Sequence, residues 1–189
     1  MNIVSGTLRG LPLKAPAGMM TRPTAVRSRK ALFDSLGDLS GKTVADLFAG
    51  SGAIGLEAAS RGAENVWFAD SSPGAIKCIK ANTAKALALG CQTQFEILNV
   101  TLPGGAARLS CLREPDLVFA DPPYAETTQF LTGILSDPAF TAWCKNAVLI
   151  WEIPVDKGLV PPPPLWRLVD IRTFGGAKFA FFKRVENTQ

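Results

Sequence analysis

The chain has 189 residues, of which 47% are hydrophobic and 19% charged, a composition that excludes general disorder and fits one globular domain. The lack of any histidine excludes Ser-His and Cys-His catalysis and a histidine general base. The four cysteines have no CxxC spacing, so we expect reduced structural thiols and no metal site.

The net charge of +4 is concentrated near the start of the chain. Residues 1–42 hold seven basic and two acidic side chains, for +5, and the rest holds 13 basic and 14 acidic side chains, for −1. Clustered Lys and Arg indicate a polyanionic partner, although a solvated helix face with a mobile basic end gives the same pattern. We predict that residues 1–42 form a basic arm and helix on a second part, residues 43–189, the two making one compact unit.

The chain shows no signal-peptide pattern, and its apolar runs, such as Ala147–Trp151, are too short to span a bilayer. We therefore expect a cytoplasmic protein that does not associate with membranes. A single domain of this size is expected to act as a monomer.

Residues 1–23 are rich in glycine, proline and basic residues and predict an extended or hairpin-like arm. Apolar residues at helical spacing then predict a helix over 24–37, with Thr24 as candidate N-cap. From Thr43 onward, strands alternate with helices. The predicted strands cover 43–48, 65–69, 93–98, 116–120 and 147–152, and the predicted helices 53–61, 73–89 and 126–141.

Two final strands, 165–171 and 178–184, flank the turn Gly175-Gly176. The alternation of strands and helices predicts an α/β fold with a doubly wound, mainly parallel sheet. The terminal strand pair is compatible with an antiparallel edge.

A glycine-rich segment, Asp46 to Gly55, leaves the first of these strands and enters a helix. Glycines let the backbone approach a ligand closely, and the helix that follows presents free N–H groups. Asp70 ends the next strand, where a carboxylate can accept both hydroxyls of a ribose. The carboxyl ends of strands are where ligands bind in doubly wound sheets.

Three interpretations of this segment compete. Gly50-x-Gly52-x-x-Gly55 matches the dinucleotide fingerprint, and a plain strand–turn–helix with packing glycines is also possible. Asp46, inside the strand, favours a third interpretation, because a negative charge at that point would repel a pyrophosphate. The ammonium and sulfonium groups of S-adenosylmethionine, in contrast, require nearby acceptors.

Asp121-Pro122-Pro123-Tyr124 directly follows an apolar strand. Proline stiffens the loop and contributes a carbonyl with no competing N–H on the same residue. The Asp121 carboxylate and the Pro122 carbonyl can hold the two N–H groups of a planar amine in a geometry that favours nitrogen attack on a methyl group. Tyr124 can stack on a flipped base, so orientation would supply most of the rate. The alternative is a proline-rich turn with Asp121 as an N-cap and Tyr124 in the core.

Together, these two motifs resemble the amino-group methyltransferases of nucleic acids. The N-terminal segment narrows the resemblance to the bacterial 16S ribosomal RNA guanine-N2 methyltransferases of the small-subunit methyltransferase D type. It carries Ile3-Val4-Ser5-Gly6, Arg9-Gly10-x-x-Leu13, Arg22-Pro23-Thr24-x-x-Arg27-x-Arg29 and Leu32-Phe33. The resemblance implies a seven-stranded sheet and one guanine of 16S rRNA, naked or in an assembling small subunit, as target. An adenine-N6 methyltransferase and a non-catalytic RNA-binding paralogue remain alternatives.

Carried over to this chain, the resemblance assigns the following residues. Catalysis falls to Asp121, Pro122, Pro123 and Tyr124. S-adenosylmethionine binding falls to Asp46, Phe48, Ala49, Gly50, Ser51, Gly52, Asp70, Ser71, Asn99 and Thr101. RNA binding is assigned to Arg9, Arg22, Thr24, Arg27, Arg29 and Lys30, of which Arg22, Thr24, Arg27 and Arg29 would contact RNA or shape the pocket. The chain departs from the pattern at Ser72, where the family usually has an acidic residue, and at Asn99–Thr101, where it usually has an Asp that reads the adenine amino group.

Overall fold

The computed structural model describes residues 1–18, 23–123, 127–153, 158 and 161–185, without the side chains of residues 23–25. Helices and strands alternate from the arm to the final strand pair. The helices are α1 (Pro23–Leu36), α2 (Ala53–Ser60), α3 (Pro73–Ala88), α4 (Thr127–Leu135) and α5 (Pro138–Trp143). The strands are β1 (Thr43–Leu47), β2 (Asn65–Asp70), β3 (Gln94–Asn99), β4 (Leu117–Ala120), β5 (Val148–Ile153), β6 (Trp166–Phe174) and β7 (Ala177–Arg184).

All seven strands form one sheet in the order β3-β2-β1-β4-β5-β7-β6. The first five strands of this order run parallel, and β7 pairs antiparallel with both β5 and β6. The predicted doubly wound, mainly parallel sheet with an antiparallel edge is therefore confirmed. The order of the strands reverses between β1 and β4, and in open sheets of this kind ligands bind in the crevice at the carboxyl ends of the two strands where this reversal occurs.

Two apolar layers cover the faces of the sheet. One contains Leu32 and Phe33 of α1, Leu56 of α2 and Ile79 of α3, and the other contains Ile134 of α4. Phe33 stacks on Phe119 of β4 with 5.3 Å between ring centroids, which fixes α1 against the middle of the sheet.

Three sequence predictions need correction. The single helix expected over 126–141 is two helices, α4 and α5, because Pro138 has no N–H to continue α4 and Asp137 caps α5 by accepting the Phe140 N–H at 2.9 Å. Helix α1 begins at Pro23, one residue before the expected start, so Thr24 lies in its first turn rather than at the cap. A short 3₁₀ helix at Ala106–Cys111 was not predicted.

The arm is part of this core. Ile3, Leu8, Leu11 and Leu13 are buried together with residues of β1, α1, α2 and α3. The arm folds back on itself, with the Ile3 N–H donating to Leu11 and the Gly10 N–H donating to Ile3. The Thr7 N–H donates to the Ser60 carbonyl at 2.8 Å. The arm therefore packs on α2, the helix that follows the glycine-rich segment in the chain.

Substitutions at two glycines of the arm test whether the arm packs on α2, because both glycines have positive φ but only one lies against α2. A Cβ on Gly6 would lie 1.7 Å from the Ser60 carbonyl oxygen, whereas a Cβ on Gly10 meets nothing within 4 Å. We expect Gly10→Ala to cost about 1 kcal/mol of left-handed backbone strain. Gly6→Ala adds overpacking and should cost about 3 kcal/mol in all. Urea denaturation of both variants measures the difference, and equal losses would contradict the packing of the arm on α2.

Candidate active site

Three carboxylates come from three neighbouring strands. Asp46 lies in β1, Asp70 is the last residue of β2, and Asp121 directly follows β4. Because β1 lies between β2 and β4, all three reach the carboxyl edge of the sheet. Burial raises the pKa of Asp46 well above its ordinary value, and the charges of Asp121 and Asp70 raise it further. The structure thus brings together the acidic residues of both sequence motifs.

Asp46 is the innermost of the three, with an exposed fraction of 3%. Its Oδ2 accepts the Gly55 N–H at 2.9 Å, which ties β1 to the first turn of α2. Gly55 packs tightly on β2, since a Cβ there would lie 2.4 Å from Phe68 Cε1. The third glycine of the fingerprint is therefore explained by helix–sheet packing, and a pyrophosphate is not needed to account for it.

The glycine-rich segment turns through several left-handed residues. Phe48, Gly50 and Gly52 have φ values of 58°, 54° and 76°. Such a conformation is strained for Phe48, and strain of this kind is common where a ligand binds. The ring of Phe48 packs against Phe130 with centroids 5.2 Å apart, which holds the residue in place. The Gly52 N–H closes the turn by donating to the Ala49 carbonyl at 2.7 Å.

The Asp70 carboxylate binds both the glycine-rich turn and the segment that leads into α3. Its Oδ2 accepts the Gly50 N–H at 2.8 Å, and its Oδ1 accepts the Ser72 N–H at 2.8 Å. Ser72 in turn caps α3, because its Oγ accepts the Ala75 N–H at 3.4 Å. Ser72 therefore has a local structural role at the start of α3.

Asn99 is the last residue of β3 and lies beside Asp70 in the sheet. Its Nδ2 donates to the carbonyls of Asp70 at 3.1 Å and Ser71 at 3.0 Å, so Oδ1 is the atom it can offer to an adenine amino group. The Arg108 guanidinium donates to the Asn99 carbonyl at 2.6 Å. Thr101 is exposed, and its carbonyl accepts the Gly105 N–H at 2.8 Å.

The Asp121-Pro122-Pro123 segment leaves β4 at the same edge. Asp121 and Pro123 are exposed, whereas Pro122 is buried. The Thr127 hydroxyl at the start of α4 donates to the Pro123 carbonyl at 3.3 Å, which joins the two ends of the loop. Tyr124, the predicted stacking residue, lies outside the described residues.

The side chains predicted to bind RNA are exposed in three cases, outside the described part of the chain in two, and buried in one. Arg9, Arg27 and Lys30 are exposed, and Lys30 forms an ion pair with Asp34 at 2.6 Å. Arg22 and the side chain of Thr24 lie outside the described residues. Arg29 differs from expectation because its exposed fraction is 5%.

Arg29 points inward and organises the inner face of α1. Its Nη2 donates to the Asn2 carbonyl at 2.7 Å, and its Nε lies 3.7 Å from Oε2 of the fully buried Glu57. Burial lowers the pKa of Arg29, and the charges of Glu57 and Asp46 oppose that change. We therefore correct the predicted RNA contact: this guanidinium balances buried carboxylates instead.

Two residues that hold the arm and the glycine-rich segment in place were not predicted from the sequence. Glu57 of α2 accepts the N–H groups of Val4 at 2.9 Å and Ser5 at 3.1 Å. Asn82 of α3, also fully buried, binds the arm and the glycine-rich segment. The available signal was a polar residue on a largely apolar helix face, since buried polar groups require partners.

The chemistry of the site fits a cationic ligand with a ribose. Asp46 and Asp121 place two carboxyl groups beside the glycine-rich turn, and such groups suit ammonium and sulfonium groups better than a pyrophosphate. Asp70 stands at the end of β2, where a carboxylate reaches a ribose. Within the described part of the chain, no cluster of Cys, Asp and Glu could hold a metal, and no helix is long and apolar enough to cross a membrane.

The fold is that of the class I methyltransferases. A solved structure of a candidate methyltransferase from Escherichia coli superposes with a TM-score of 0.70 over 97% of each chain, at 24% identity. The chain itself belongs to the family described as Conserved hypothetical protein 95, whose model matches residues 1–183. This finding confirms the family resemblance drawn from the two motifs and the N-terminal segment.

Named relatives agree with this placement. The Bacillus subtilis protein YlbH, named as a candidate rRNA methyltransferase, is 39% identical over 129 residues, 67% of this chain and 68% of the relative. The Haemophilus influenzae ribosomal RNA small subunit methyltransferase D is 28% identical over 197 aligned positions, 97% of this chain and 93% of the relative.

Proposed function

We propose that this protein transfers the methyl group of S-adenosylmethionine to the exocyclic N2 amine of a guanine in 16S rRNA. The observation that carries the proposal is the meeting of Asp46, Asp70 and Asp121 at the carboxyl ends of three adjacent strands. The names of the relatives support rRNA as the substrate. The substrate would be naked 16S rRNA or an assembling small subunit in the cytoplasm, met by a monomer.

The crevice beside the glycine-rich turn would hold the cofactor, which supplies an electrophilic methyl group when bound. Asp46 and the turn around Gly50 and Gly52 would face its charged methionine end. Asp70 would accept the ribose hydroxyls, since a carboxylate oxygen that takes one N–H can accept a further hydrogen bond. Asn99 Oδ1 or the Thr101 hydroxyl would accept from the adenine amino group.

The target amine would be held on the other side of the crevice. The Asp121 carboxylate and the Pro122 carbonyl would accept its two N–H groups, which orients the nitrogen lone pair toward the methyl group. Tyr124 would stack on the flipped base. Orientation and fixed dipoles would supply most of the rate, in keeping with a chain that has no histidine.

RNA would approach over the arm and α1. Arg9 of the arm and Arg27 and Lys30 of α1 are exposed cations suited to phosphate groups. The buried Arg29 is not among these contacts, whereas Arg22 and Thr24 stay in the proposal from the sequence alone.

Nucleoside analysis after reaction tests both the substrate and the atom. The purified protein is incubated with labelled S-adenosylmethionine and either 16S rRNA transcribed in vitro, partly assembled small subunits or genomic DNA. The products are then digested to nucleosides for mass analysis. We expect N2-methylguanosine from an RNA substrate and no label in DNA. N6-methyladenosine would overturn the guanine assignment, and RNA binding without any label would indicate a non-catalytic binder.

A further inference from the structure

The side chain of Asn82 joins three separate parts of the chain. It projects from α3 and is fully buried, with no exposed surface. Its Oδ1 accepts the Lys14 N–H at 2.8 Å, and its Nδ2 donates to the Lys14 carbonyl at 2.8 Å and the Ser51 carbonyl at 2.9 Å. Both the oxygen and the nitrogen of this amide therefore bind the arm, and the nitrogen also binds the turn that would face the cofactor.

The geometry of the amide makes these bonds depend on each other. The oxygen and nitrogen of an asparagine amide lie in one rigid plane, so a rotation that breaks either bond to Lys14 also moves the donor away from Ser51. The Ser51 carbonyl belongs to the peptide that leads into Gly52, whose left-handed φ of 76° begins α2. A fixed Lys14 therefore helps to fix the turn that would face the cofactor.

Other contacts between the arm and the rest of the chain do not connect the arm to the cofactor turn in the same way. Ser60 also binds the arm, accepting the Leu8 N–H at 2.9 Å and donating to the Ser5 carbonyl, but it lies at the far end of α2 from the cofactor turn. Glu57 likewise holds Val4 and Ser5 from α2. The Met1 sulfur approaches the Ser51 hydroxyl only at 3.9 Å. Asn82 provides the strongest direct connection from the arm to the turn among the described residues.

We propose that Asn82 is a positioning residue that couples RNA binding on the arm to cofactor binding at the turn. The inference rests on the proposed function, in which the arm carries Arg9 to the RNA and the turn holds S-adenosylmethionine. RNA that holds the arm in place reduces the ordering cost of the turn, so each ligand tightens the binding of the other.

The test is a linkage measurement with the unreactive product S-adenosylhomocysteine. Calorimetry gives its Kd for the full chain alone and with saturating 16S rRNA or partly assembled subunits, whichever the protein binds. Wild type should bind it at least about 5-fold more tightly with RNA, the lower end of ordinary allosteric coupling. Asn82→Ala should reduce the factor below about 2-fold, while the affinity for RNA alone changes by less than about 2-fold.

Ser60→Ala is the matched control, because it removes two bonds between arm and body without touching the turn. A purely structural role for Asn82 predicts that both variants lose stability and keep the wild-type coupling factor. Coupling through Asn82 predicts that Ser60→Ala keeps that factor and Asn82→Ala loses it. Both proteins are compared well below their melting temperatures.

A measurement without mutation covers the case in which Asn82→Ala does not fold. The Lys14 amide hydrogen binds Asn82 Oδ1 directly, so S-adenosylhomocysteine alone should slow its hydrogen exchange in wild type. The Leu8 amide, bound to Ser60, should keep its rate. Unchanged exchange at Lys14, or equal Kd values with and without RNA, would overturn the coupling. Failure to bind any of these RNAs would instead overturn the proposed function.

Discussion

Replacement of Asp121 with asparagine should lower the rate of methyl transfer by at least about 100-fold, the usual effect of losing one oriented polar group in an active site. The change is isosteric but replaces one of the two carboxylate oxygens with an NH₂ group. The oxygen that remains is uncharged and accepts the N–H of the target amine more weakly, and in the other orientation of the amide the NH₂ group would oppose that N–H donor to donor. Asp121 is exposed and directly follows β4, so the fold should survive. Single-turnover assays with labelled S-adenosylmethionine measure the effect.

Cofactor binding separates this role from general damage to the site. Calorimetry should give Asp121→Asn a Kd for S-adenosylhomocysteine within about 3-fold of wild type, because Asp46 and Asp70 remain. Asp170→Asn is a suitable control, since Asp170 is a partly exposed carboxylate that lies on the edge strand β6, paired with Arg172 at 2.7 Å. Full activity of Asp121→Asn would remove this residue from the catalytic machinery.

Replacement of Asp46 with asparagine should weaken cofactor binding by about 10- to 100-fold, the range expected when a hydrogen bond to a charged group loses its charge. Asparagine keeps an oxygen that can accept the Gly55 N–H, so the connection between β1 and α2 remains. The negative charge that would attract an ammonium or sulfonium group is lost. Calorimetry with S-adenosylhomocysteine measures the change, and an unaltered Kd would contradict the placement of the cofactor.

The same substitution should stabilise the protein at neutral pH. Burial raises the pKa of Asp46 well above 3.8, so the folded state binds a proton more tightly than the unfolded state does. Wild type therefore loses stability as the pH rises from about 3.8 toward the raised pKa, and asparagine does not titrate. The melting temperature of Asp46→Asn should exceed that of wild type by more at pH 8 than at pH 5.

An exposed aspartate provides the control of opposite sign. The Ser40 hydroxyl lowers the pKa of Asp38, so this carboxylate is favoured when ionised in the folded state. Asp38→Asn should therefore give no gain in melting temperature at pH 8. If Asp46→Asn melts below wild type at pH 8, Asp46 contributes to the fold through contacts that outweigh the cost of its buried charge.

The local parts of the site were predictable from the sequence. Short apolar strands followed by glycines or by Asp121-Pro122 mark the carboxyl ends of β1 and β4, and such signals depend on few residues. The division between α4 and α5 also had a local signal, Asp137-Pro138, but the apolar spacing on both sides concealed it.

The connections between distant segments were not predictable. Glu57 meets Val4 and Asn82 meets Lys14 across 53 and 68 positions of the chain, and no spacing rule reports such pairs. Arg29 was misplaced for a related reason. A cluster of basic residues on α1 indicates a charged segment, but it does not show which side chain faces the Glu57 carboxylate and which faces solvent.

The most direct test of the proposed rRNA methylation is a reaction of the folded wild-type protein with labelled S-adenosylmethionine. Small-subunit RNA, partly assembled subunits and genomic DNA are offered in parallel. We expect label in RNA, either naked or within the subunit, and none in DNA. Label in DNA alone, or no label in any substrate despite a native fold and measured cofactor binding, would contradict this expectation.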